Sequence, residues 1–227
     1  MFPLKDSVTI TTLPVITWII VILNVLCFGA ELLLPSEKLN DFVTAFGVVP
    51  LSFVSHFGLV QLGKVVSSLF VHAGVLHIAG NMWFLWIFGD GVEDKIGSGK
   101  YLLLYLGSGI LASIVQIIVD PHSQLPMVGA SGAISGVLGA YFYLFPRATV
   151  STFLLAGFFT RVVEIPESVY LGFWFMIQLI SGFSSLVGIS EQGAPPVAFW
   201  AHTAGFIVGL LCAKTMVEKK SGEISLS

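Results

Sequence analysis

The amino-acid sequence predicts an all-α membrane protein that folds as a single bundle of six transmembrane helices. Of its 227 residues, 56% are hydrophobic and only 10% are charged, whereas a soluble domain carries about 25% charged residues. The mean hydropathy is +0.94. Six apolar runs approach the ~20 residues with which a helix crosses ~30 Å of hydrocarbon. We therefore expect one membrane domain over residues 1–227, with the lipid bilayer as its surroundings.

Prolines mark the ends of several apolar runs, where helices tolerate them. The predicted helices lie near 14–34, 72–90, 101–119, 130–146, 166–189 and 196–216. The first run is too long for a signal-peptide core, so we expect it to be retained. The fourth and sixth are rich in glycine and poor in charge, as packed interior helices are. The apolar segment 151–159 is too short to span and is expected to be an interfacial loop or strand.

The distribution of lysine and arginine predicts the orientation of the bundle. Eight of the ten basic residues lie on one side of the predicted helices, and two lie in the long loop 35–71. By the positive-inside rule, both termini face the cytoplasm, and the loops 35–71, 120–129 and 190–195 face outward. The net charge of −3 includes no basic tract, so no nucleic-acid partner is expected.

Polar side chains inside membrane helices are costly and therefore indicate function. The thirteen acidic residues all fall in loops or near helix ends, which leaves serine, histidine and asparagine as the informative types. His77 and Asn81 share a face of the second predicted helix, and His72 lies about 140° around it. Ser131 begins the fourth helix, and His202 lies about one and a half turns below the outer end of the sixth. Three helices thus bring polar residues to one depth in the outer leaflet.

Serine, histidine and asparagine at one depth suit nucleophilic catalysis. An imidazole accepts the proton of a serine hydroxyl, while an amide, a histidine N–H and the free backbone N–H groups of a helix start stabilise an oxyanion. With no acidic residue near His202, the catalytic unit is expected to be a dyad of Ser131 and His202. Gly129 and Gly132 would leave the flanks of Ser131 open to a substrate backbone.

Each feature also has a plainer interpretation. The glycine pairs of 132–136 and 205–209 are common packing patterns of membrane helices, and His202 alone is more often a hydrogen-bonded structural residue. A proton-relaying transporter would be expected to show an internal repeat or paired broken helices, and the sequence has neither. A zinc site from His72, His77 and His202 stays open, although the first two are not spaced to share one helix face.

Three ordered motifs resemble the rhomboid intramembrane serine proteases. They are H-x4-H-x3-N at 72–81, G-x-S-G at 129–132 and A-H-x-x-G-x-x-x-G at 201–209. The pattern V-E-D-x-x-G at 92–97 is similar to that family's cytoplasmic turn. The resemblance extends from about residue 60 to residue 212 and implies a six-helix rhomboid-like bundle.

The resemblance implies a serine endopeptidase of the prokaryotic plasma membrane that cleaves transmembrane segments of other proteins near the outer face. Ser131 would be the nucleophile that forms an acyl-enzyme, His202 its general base, and His77 and Asn81 part of the oxyanion hole. His72 would be a supporting polar residue. No metal or organic cofactor is implied. An inactive rhomboid-like binder of membrane helices would normally have lost Ser131 or His202, and both are present.

The resemblance implies roles for two further residues, and the chain differs from the family pattern in three respects. Gly129 would line the pocket for the residue before the cut, and the helix of Trp174 would be a lateral gate. At Ser135, better-known bacterial members carry an aromatic residue that stacks on the base, so another group must hold His202. Many members have Trp-Arg in the first loop, where this chain has Gly63-Lys64. Other members have a soluble N-terminal domain or a seventh helix; we expect neither here, as in the minimal bacterial or archaeal form. The oligomeric state is left open.

Overall fold

A computed structural model describes residues 1–156, 159–187 and 197–224 of the chain. This part of the chain contains nine α-helices and three β-strands. The helices are α1 (Val15–Leu32), α2 (Ser36–Phe46), α3 (Pro50–Ser55), α4 (Leu59–Ser67), α5 (Val75–Ile96), α6 (Ser98–Val119), α7 (Ser131–Leu144), α8 (Glu167–Leu186) and α9 (Phe199–Ile224). The strands are β1 (Phe2–Asp6), β2 (Thr149–Ala156) and β3 (Phe159–Pro166), and a 3₁₀ turn (Ser68–Phe70) follows α4.

The six predicted membrane helices correspond to α1, α5, α6, α7, α8 and α9. Four of these, α1, α6, α8 and α9, are long and apolar enough to cross a membrane, and α5 makes a fifth if it is joined to the bent segment before it. The described chain is therefore mostly helical, with four or five candidate membrane spans. The predicted outer loop 190–195, the predicted end of the fifth helix at 189 and the predicted start of the sixth at 196 lie outside the described residues.

The second helix differs from its predicted bounds at both ends. α5 begins at Val75, so His72 lies in the non-helical stretch before it and not on its face, and the 140° argument was wrong. The helix continues to Ile96 and ends at Gly97, whose φ of +85° is readily adopted only by glycine. This turn lets α6 start at Ser98, three residues before the predicted start at 101.

The segment 35–71, which the sequence interpretation gave as a long outer loop, contains regular secondary structure. It folds into α2, α3, α4 and the 3₁₀ turn. Lys64, of the unusual Gly63-Lys64 pair, donates from Nζ to the carbonyl oxygen of Thr44 at 2.8 Å. Val48 exchanges two backbone hydrogen bonds with Met127, of 3.0 Å and 2.7 Å. This antiparallel bridge fastens the segment to the stretch that leads into α7.

The prediction of an all-α fold was wrong in one respect, because β1, β2 and β3 form an antiparallel sheet in that order. Val150, Ser151 and Thr152 of β2 are buried, and Phe153 is exposed. The β-branched residues of this segment favour a strand. The indole N–H of Trp83 donates to the carbonyl of Pro3 at 2.7 Å and so joins β1 to α5.

The V-E-D-x-x-G turn at the end of α5 holds the start of α1. The buried carboxylate of Glu93 accepts the backbone N–H groups of Ile16 at 2.9 Å and Thr17 at 2.8 Å. It also accepts the hydroxyl groups of Thr17 at 2.8 Å and Ser98 at 2.6 Å. Because the first N–H groups of a helix have no partner within that helix, Glu93 acts as the cap of α1 from a distant part of the chain.

α7 lies at the centre of the bundle and packs against α5, α6 and α9. Every residue from Gly132 to Tyr141 is buried. A Cβ built at Gly209 would overlap the carbonyl of Gly136, and one at Gly205 would overlap the carbonyl of Gly132. The prediction that these glycines serve helix packing is therefore confirmed. The close approach brings the start of α7 beside the first turns of α9.

Candidate active site

Ser131 is the first residue of α7, and a backbone hydrogen bond with the 3₁₀ turn fixes the stretch before it. The N–H of Gly129 donates to the carbonyl of Ser68 at 2.8 Å. Gly129 has a φ of +116°, a conformation that residues with a Cβ rarely adopt. The backbone N–H groups of the first turn of α7 have no partner within the helix, so they can serve an anion.

The side chains of Ser131 and His202 meet although they lie 71 residues apart in the sequence. The Oγ of Ser131 is 2.8 Å from the Nε2 of His202, which lies in the first turns of α9. A hydroxyl and an imidazole nitrogen at this distance form a hydrogen bond of ordinary length. An imidazole in this position can take the hydroxyl proton as the oxygen attacks a carbonyl carbon.

The other ring nitrogen of His202 has a partner that the sequence interpretation did not name. Its Nδ1 is 2.8 Å from the amide oxygen of Gln178 on α8. Trp174, one turn earlier on α8, places its ring centroid 6.1 Å from that of His202. The hydroxyl of Ser135 donates to the carbonyl of Ser131 at 2.7 Å. The partner of Nδ1 and the aromatic contact of the base thus both come from α8.

His77, Asn81 and Gly129 lie together beside Ser131. A Cβ built at Gly129 would be 2.7 Å from the Cε1 and Nε2 atoms of His77 and 3.5 Å from the Nδ2 of Asn81. The Nδ1 of His77 accepts the backbone N–H of Ala73 at 3.4 Å. In a neutral ring with Nδ1 as acceptor, Nε2 carries the proton. His77 therefore presents an N–H toward Gly129, two residues before Ser131.

His72 supports Asn81 from behind. The Nδ2 of Asn81 lies 3.0 Å from the Nε2 of His72, so one N–H of the amide is used there and the second stays available. The rings of His72 and His77 meet edge to face, with centroids 5.1 Å apart. The backbone N–H of His72 donates to the carboxylate of Glu31 at 3.2 Å. Glu31 is buried in the last turn of α1 and anchors the stretch before α5.

The structure brings together six of the seven residues that the sequence interpretation selected. Ser131 contacts His202, Gly129 lies beside His77 and Asn81, and His72 contacts Asn81. Gly132 differs from its expected role. A Cβ at Gly132 would lie 2.9 Å from the Cβ of Ala112, so its missing side chain makes room for α6 and not for a substrate.

Two residues near the site were missed by the sequence interpretation. Gln178 is a lone amide in the apolar α8, four residues after Trp174, and the same cost argument that selected the histidines applies to it. Glu31 was set aside because it lies near a helix end, yet its carboxylate is turned into the bundle and is only 2% exposed. Burial of an end residue depends on neighbouring segments, which a single helix pattern does not reveal.

His72, His77 and His202 do not form a shared zinc site in the part of the chain that the structure describes. Within residues 1–156, 159–187 and 197–224, no group of three or more His, Cys, Asp or Glu side chains is arranged to hold a metal ion. The two ring nitrogens of His202 face Ser131 and Gln178. Neither therefore points at the pair formed by His72 and His77.

The structure combines apolar helices of membrane length with a serine–histidine pair where the shorter helix α7 meets α9. This arrangement is typical of a polytopic membrane protein with a serine-hydrolase type of site. Comparison with protein families narrows this class. The family model for the rhomboid domain matches residues 59–219. The chain belongs to the rhomboid family.

Curated relatives support this assignment. The chain is 31% identical over 196 residues to the Rhomboid protease GluP of Bacillus subtilis, and the aligned region covers 80% of this chain and 36% of that protein. It is 35% identical over 158 residues to the mitochondrial Rhomboid protein 1 of Saccharomyces cerevisiae, with 65% of this chain and 40% of that protein aligned. It is 27% identical over 153 residues to the Rhomboid protease GlpG of Yersinia pestis, with 67% of this chain and 48% of that protein aligned. The chain thus spans less than half the length of these relatives.

Proposed function

We propose that this chain is an intramembrane serine endopeptidase that cleaves transmembrane segments of other proteins with a dyad of Ser131 and His202. The observation that carries the proposal is the 2.8 Å distance between the Ser131 hydroxyl and the Nε2 of His202. Membership of the rhomboid family supports it, as do the relatives named as proteases.

The reaction begins at the serine hydroxyl. His202 Nε2 takes the proton of Ser131 while the serine oxygen bonds to the carbonyl carbon of the substrate. The protonated imidazole then gives that proton to the departing amine nitrogen, which leaves an acyl-enzyme on Ser131. A water molecule, deprotonated by the same imidazole, attacks the ester and releases the second product.

Three neutral donors stabilise the oxyanion of the tetrahedral intermediate. They are the backbone N–H of Ser131 at the start of α7, the second amide N–H of Asn81 and the Nε2–H of His77. Neutral donors suit a site inside a membrane, because a buried cation would have to be desolvated. Removal of one such donor from a serine protease costs roughly 10²–10³ in kcat.

The proposed topology places this chemistry within the outer leaflet. The six helices form the membrane bundle with both termini in the cytoplasm, and α7, which its neighbours shield from lipid, is too short to cover the full hydrocarbon thickness. Its 14 residues span about 21 Å, about 9 Å less than the hydrocarbon thickness. If the end of α7 near Arg147 lies at the cytoplasmic surface, Ser131 lies about 9 Å below the outer one. Water then enters from the outer face.

The proposed substrates are transmembrane helices that unwind locally near the outer face. A helix in lipid has its carbonyl groups bonded within the segment, and a protease needs an extended strand, so a weak helix is the better substrate. In this proposal Gly129 lines the pocket for the substrate residue before the cut. The proposed location is a prokaryotic plasma membrane. No cofactor and no nucleic acid take part.

Covalent labelling with a fluorophosphonate probe tests the proposal. We expect detergent-purified wild type to be labelled, and both Ser131→Ala and His202→Ala to be unlabelled while keeping the melting temperature of a folded protein. Ser185→Ala is the matched control, because this hydroxyl on α8 donates to the carbonyl of Gly182 one turn earlier. Wild type that stays unlabelled beside a reactive serine hydrolase would contradict the proposal and leave a binder of membrane helices as the better account.

The proposed orientation has its own test. Single cysteines are placed at Lys38 in α2 and at Lys95 in α5 of a variant in which Cys27 and Cys212 are serine. A membrane-impermeant maleimide should modify the first in intact cells and the second only in inverted vesicles. The reverse pattern would overturn the orientation without affecting the chemistry.

A further inference from the structure

A histidine that acts as a general base must keep one particular ring nitrogen free of its proton. For His202 this nitrogen is Nε2, which faces Ser131. The proton must then be on Nδ1, and a hydrogen-bond acceptor at Nδ1 is what normally enforces this tautomer. Among the described residues, the side-chain partners of the ring are Ser131 and Gln178, and neither is a carboxylate.

Gln178 meets this requirement through its amide oxygen. The Oε1 atom lies 2.8 Å from Nδ1, and a carbonyl oxygen can only accept. The imidazole therefore donates from Nδ1 and presents the lone pair of Nε2 to the serine hydroxyl. The opposite amide orientation would donate to Nδ1, put the ring proton on Nε2 and leave Ser131 without a base.

We propose that Gln178 is the positioning residue of His202, which fixes its tautomer and its orientation toward Ser131. The inference rests on the proposed function, since it assigns a part within that site. Gln178 is only 7% exposed, so the bond to His202 is shielded from competing water, and bonds in such surroundings are stronger than in water. Trp174 lies on the same helix as Gln178, and its ring centroid is 6.1 Å from that of His202. This contact further restricts the orientation of the imidazole ring.

A neutral amide suits this position better than the carboxylate found in soluble serine hydrolases. A charged carboxylate buried between α8 and α9 would carry a large desolvation cost. An amide orients the ring without that charge. It also stabilises the imidazolium less than a carboxylate would, because it contributes only a dipole. The bond joins two helices, so it exists only while α8 is packed on α9, through contacts such as that between Phe183 and Trp200.

The test compares Gln178→Leu, which keeps the volume but has no acceptor, with Gln178→Glu and with the control Met176→Leu. Met176 lies on the same helix and is half exposed. We expect Gln178→Leu to react with a fluorophosphonate about 10- to 100-fold more slowly, with an unchanged concentration for half-saturation, since one hydrogen bond in the reacting site is lost. We expect Gln178→Glu to stay within a few-fold of wild type at high pH, with the acidic limb of its pH profile moved upward, because a carboxylate favours the protonated imidazole. Met176→Leu should match wild type.

A second readout separates this inference from the proposed function. In protein with ¹⁵N-labelled histidine, the signal that disappears in His202→Ala should show a protonated Nδ1 and an unprotonated Nε2 in wild type. That pattern should be lost in Gln178→Leu. An unchanged pattern together with an unchanged labelling rate would overturn the role of Gln178. If wild type does not react with the probe but the tautomer still depends on Gln178, the proposed protease activity fails and the positioning role stands. If Gln178→Leu does not fold, the pH profile of Gln178→Glu decides, since a purely structural glutamine would leave that profile in place.

Discussion

Substitution of Gly129 by alanine should disable the site without touching Ser131 or His202. The new Cβ would lie 2.7 Å from the ring of His77, whereas carbon atoms in contact are ~3.5–4.0 Å apart. The ring must therefore move by about 1 Å, and displacements of this size can cost ~10²-fold in rate. In addition, alanine at a φ of +116° carries backbone strain of about 1–3 kcal/mol.

The assay for this prediction is the rate of fluorophosphonate labelling together with the melting temperature in detergent. Gly80→Ala is the matched control, because it adds the same methyl group to α5 between His77 and Asn81, where a Cβ meets no other atom within 4 Å. We expect Gly129→Ala to label about 10²-fold more slowly and Gly80→Ala to label like wild type.

A double-mutant cycle shows whether the loss acts through His77. In a His77→Ala background the clashing ring is absent, so Gly129→Ala should cause little further loss beyond its backbone strain. Interacting residues give such non-additive effects, and independent ones do not. Equal losses from Gly129→Ala in both backgrounds, or a wild-type rate for the single variant, would refute the reasoning.

Three further results are expected. Asn81→Ala should lower the labelling and cleavage rates per folded molecule by roughly 10²–10³-fold, since it removes one oxyanion donor; a loss of less than threefold would contradict its role. Glu93→Ala should lower the free energy of unfolding by about 2–4 kcal/mol, because it leaves the backbone N–H groups of Ile16 and Thr17 without a partner. Denaturation in detergent measures this loss. The labelling rate per folded molecule should stay that of wild type. Asp6→Asn should flatten the pH dependence of stability. Burial raises the pKa of the Asp6 carboxyl despite its hydrogen bond from Tyr141, so between about pH 4 and that raised value the folded state binds more protons and wild-type stability falls as pH rises. A variant whose melting temperature follows the same pH curve as wild type would show that Asp6 is not the group responsible.

The membrane helices could be predicted because they are long and apolar. Hydrocarbon requires every backbone group of a span to bond within its own segment, so length and composition locate α1, α6 and α8 to within a few residues. Helix starts are harder to locate from the sequence where no proline marks them. α5 begins at Val75 and not near 72, and for that reason His72 was placed on a helix face that it does not occupy.

The sheet and the helices of segment 35–71 could not be predicted in the same way. β1 and β2 lie about 145 residues apart in the sequence, yet Phe2 pairs with Phe153, and pairing at such a separation has no local signature. α2, α3 and α4 are shorter than a membrane span, so a search for long apolar runs passes over them.

Part of the candidate site could be predicted, because the direction of each membrane helix gives the depth of its polar residues in the bilayer. Ser131 and His202 were selected on this ground, and their side chains lie within hydrogen-bond distance. The partner of Nδ1 was not predictable, because Ser135 stands where the family pattern led us to expect an aromatic residue, and the contact comes from α8 instead. Which helix faces His202 is a matter of packing, and the α8 sequence alone does not fix its rotation.

Cleavage in a lipid bilayer tests the central claim most directly. Purified wild type and Ser131→Ala would each be reconstituted in liposomes with a panel of single-span substrates that carry alanine in the outer third of the span, and the products would be mapped by mass spectrometry. The account predicts two fragments, from one peptide bond in the outer part of the span, with wild type and none with Ser131→Ala. Fragments that persist with Ser131→Ala, or substrates left intact by wild type that reacts with the fluorophosphonate probe, would contradict it.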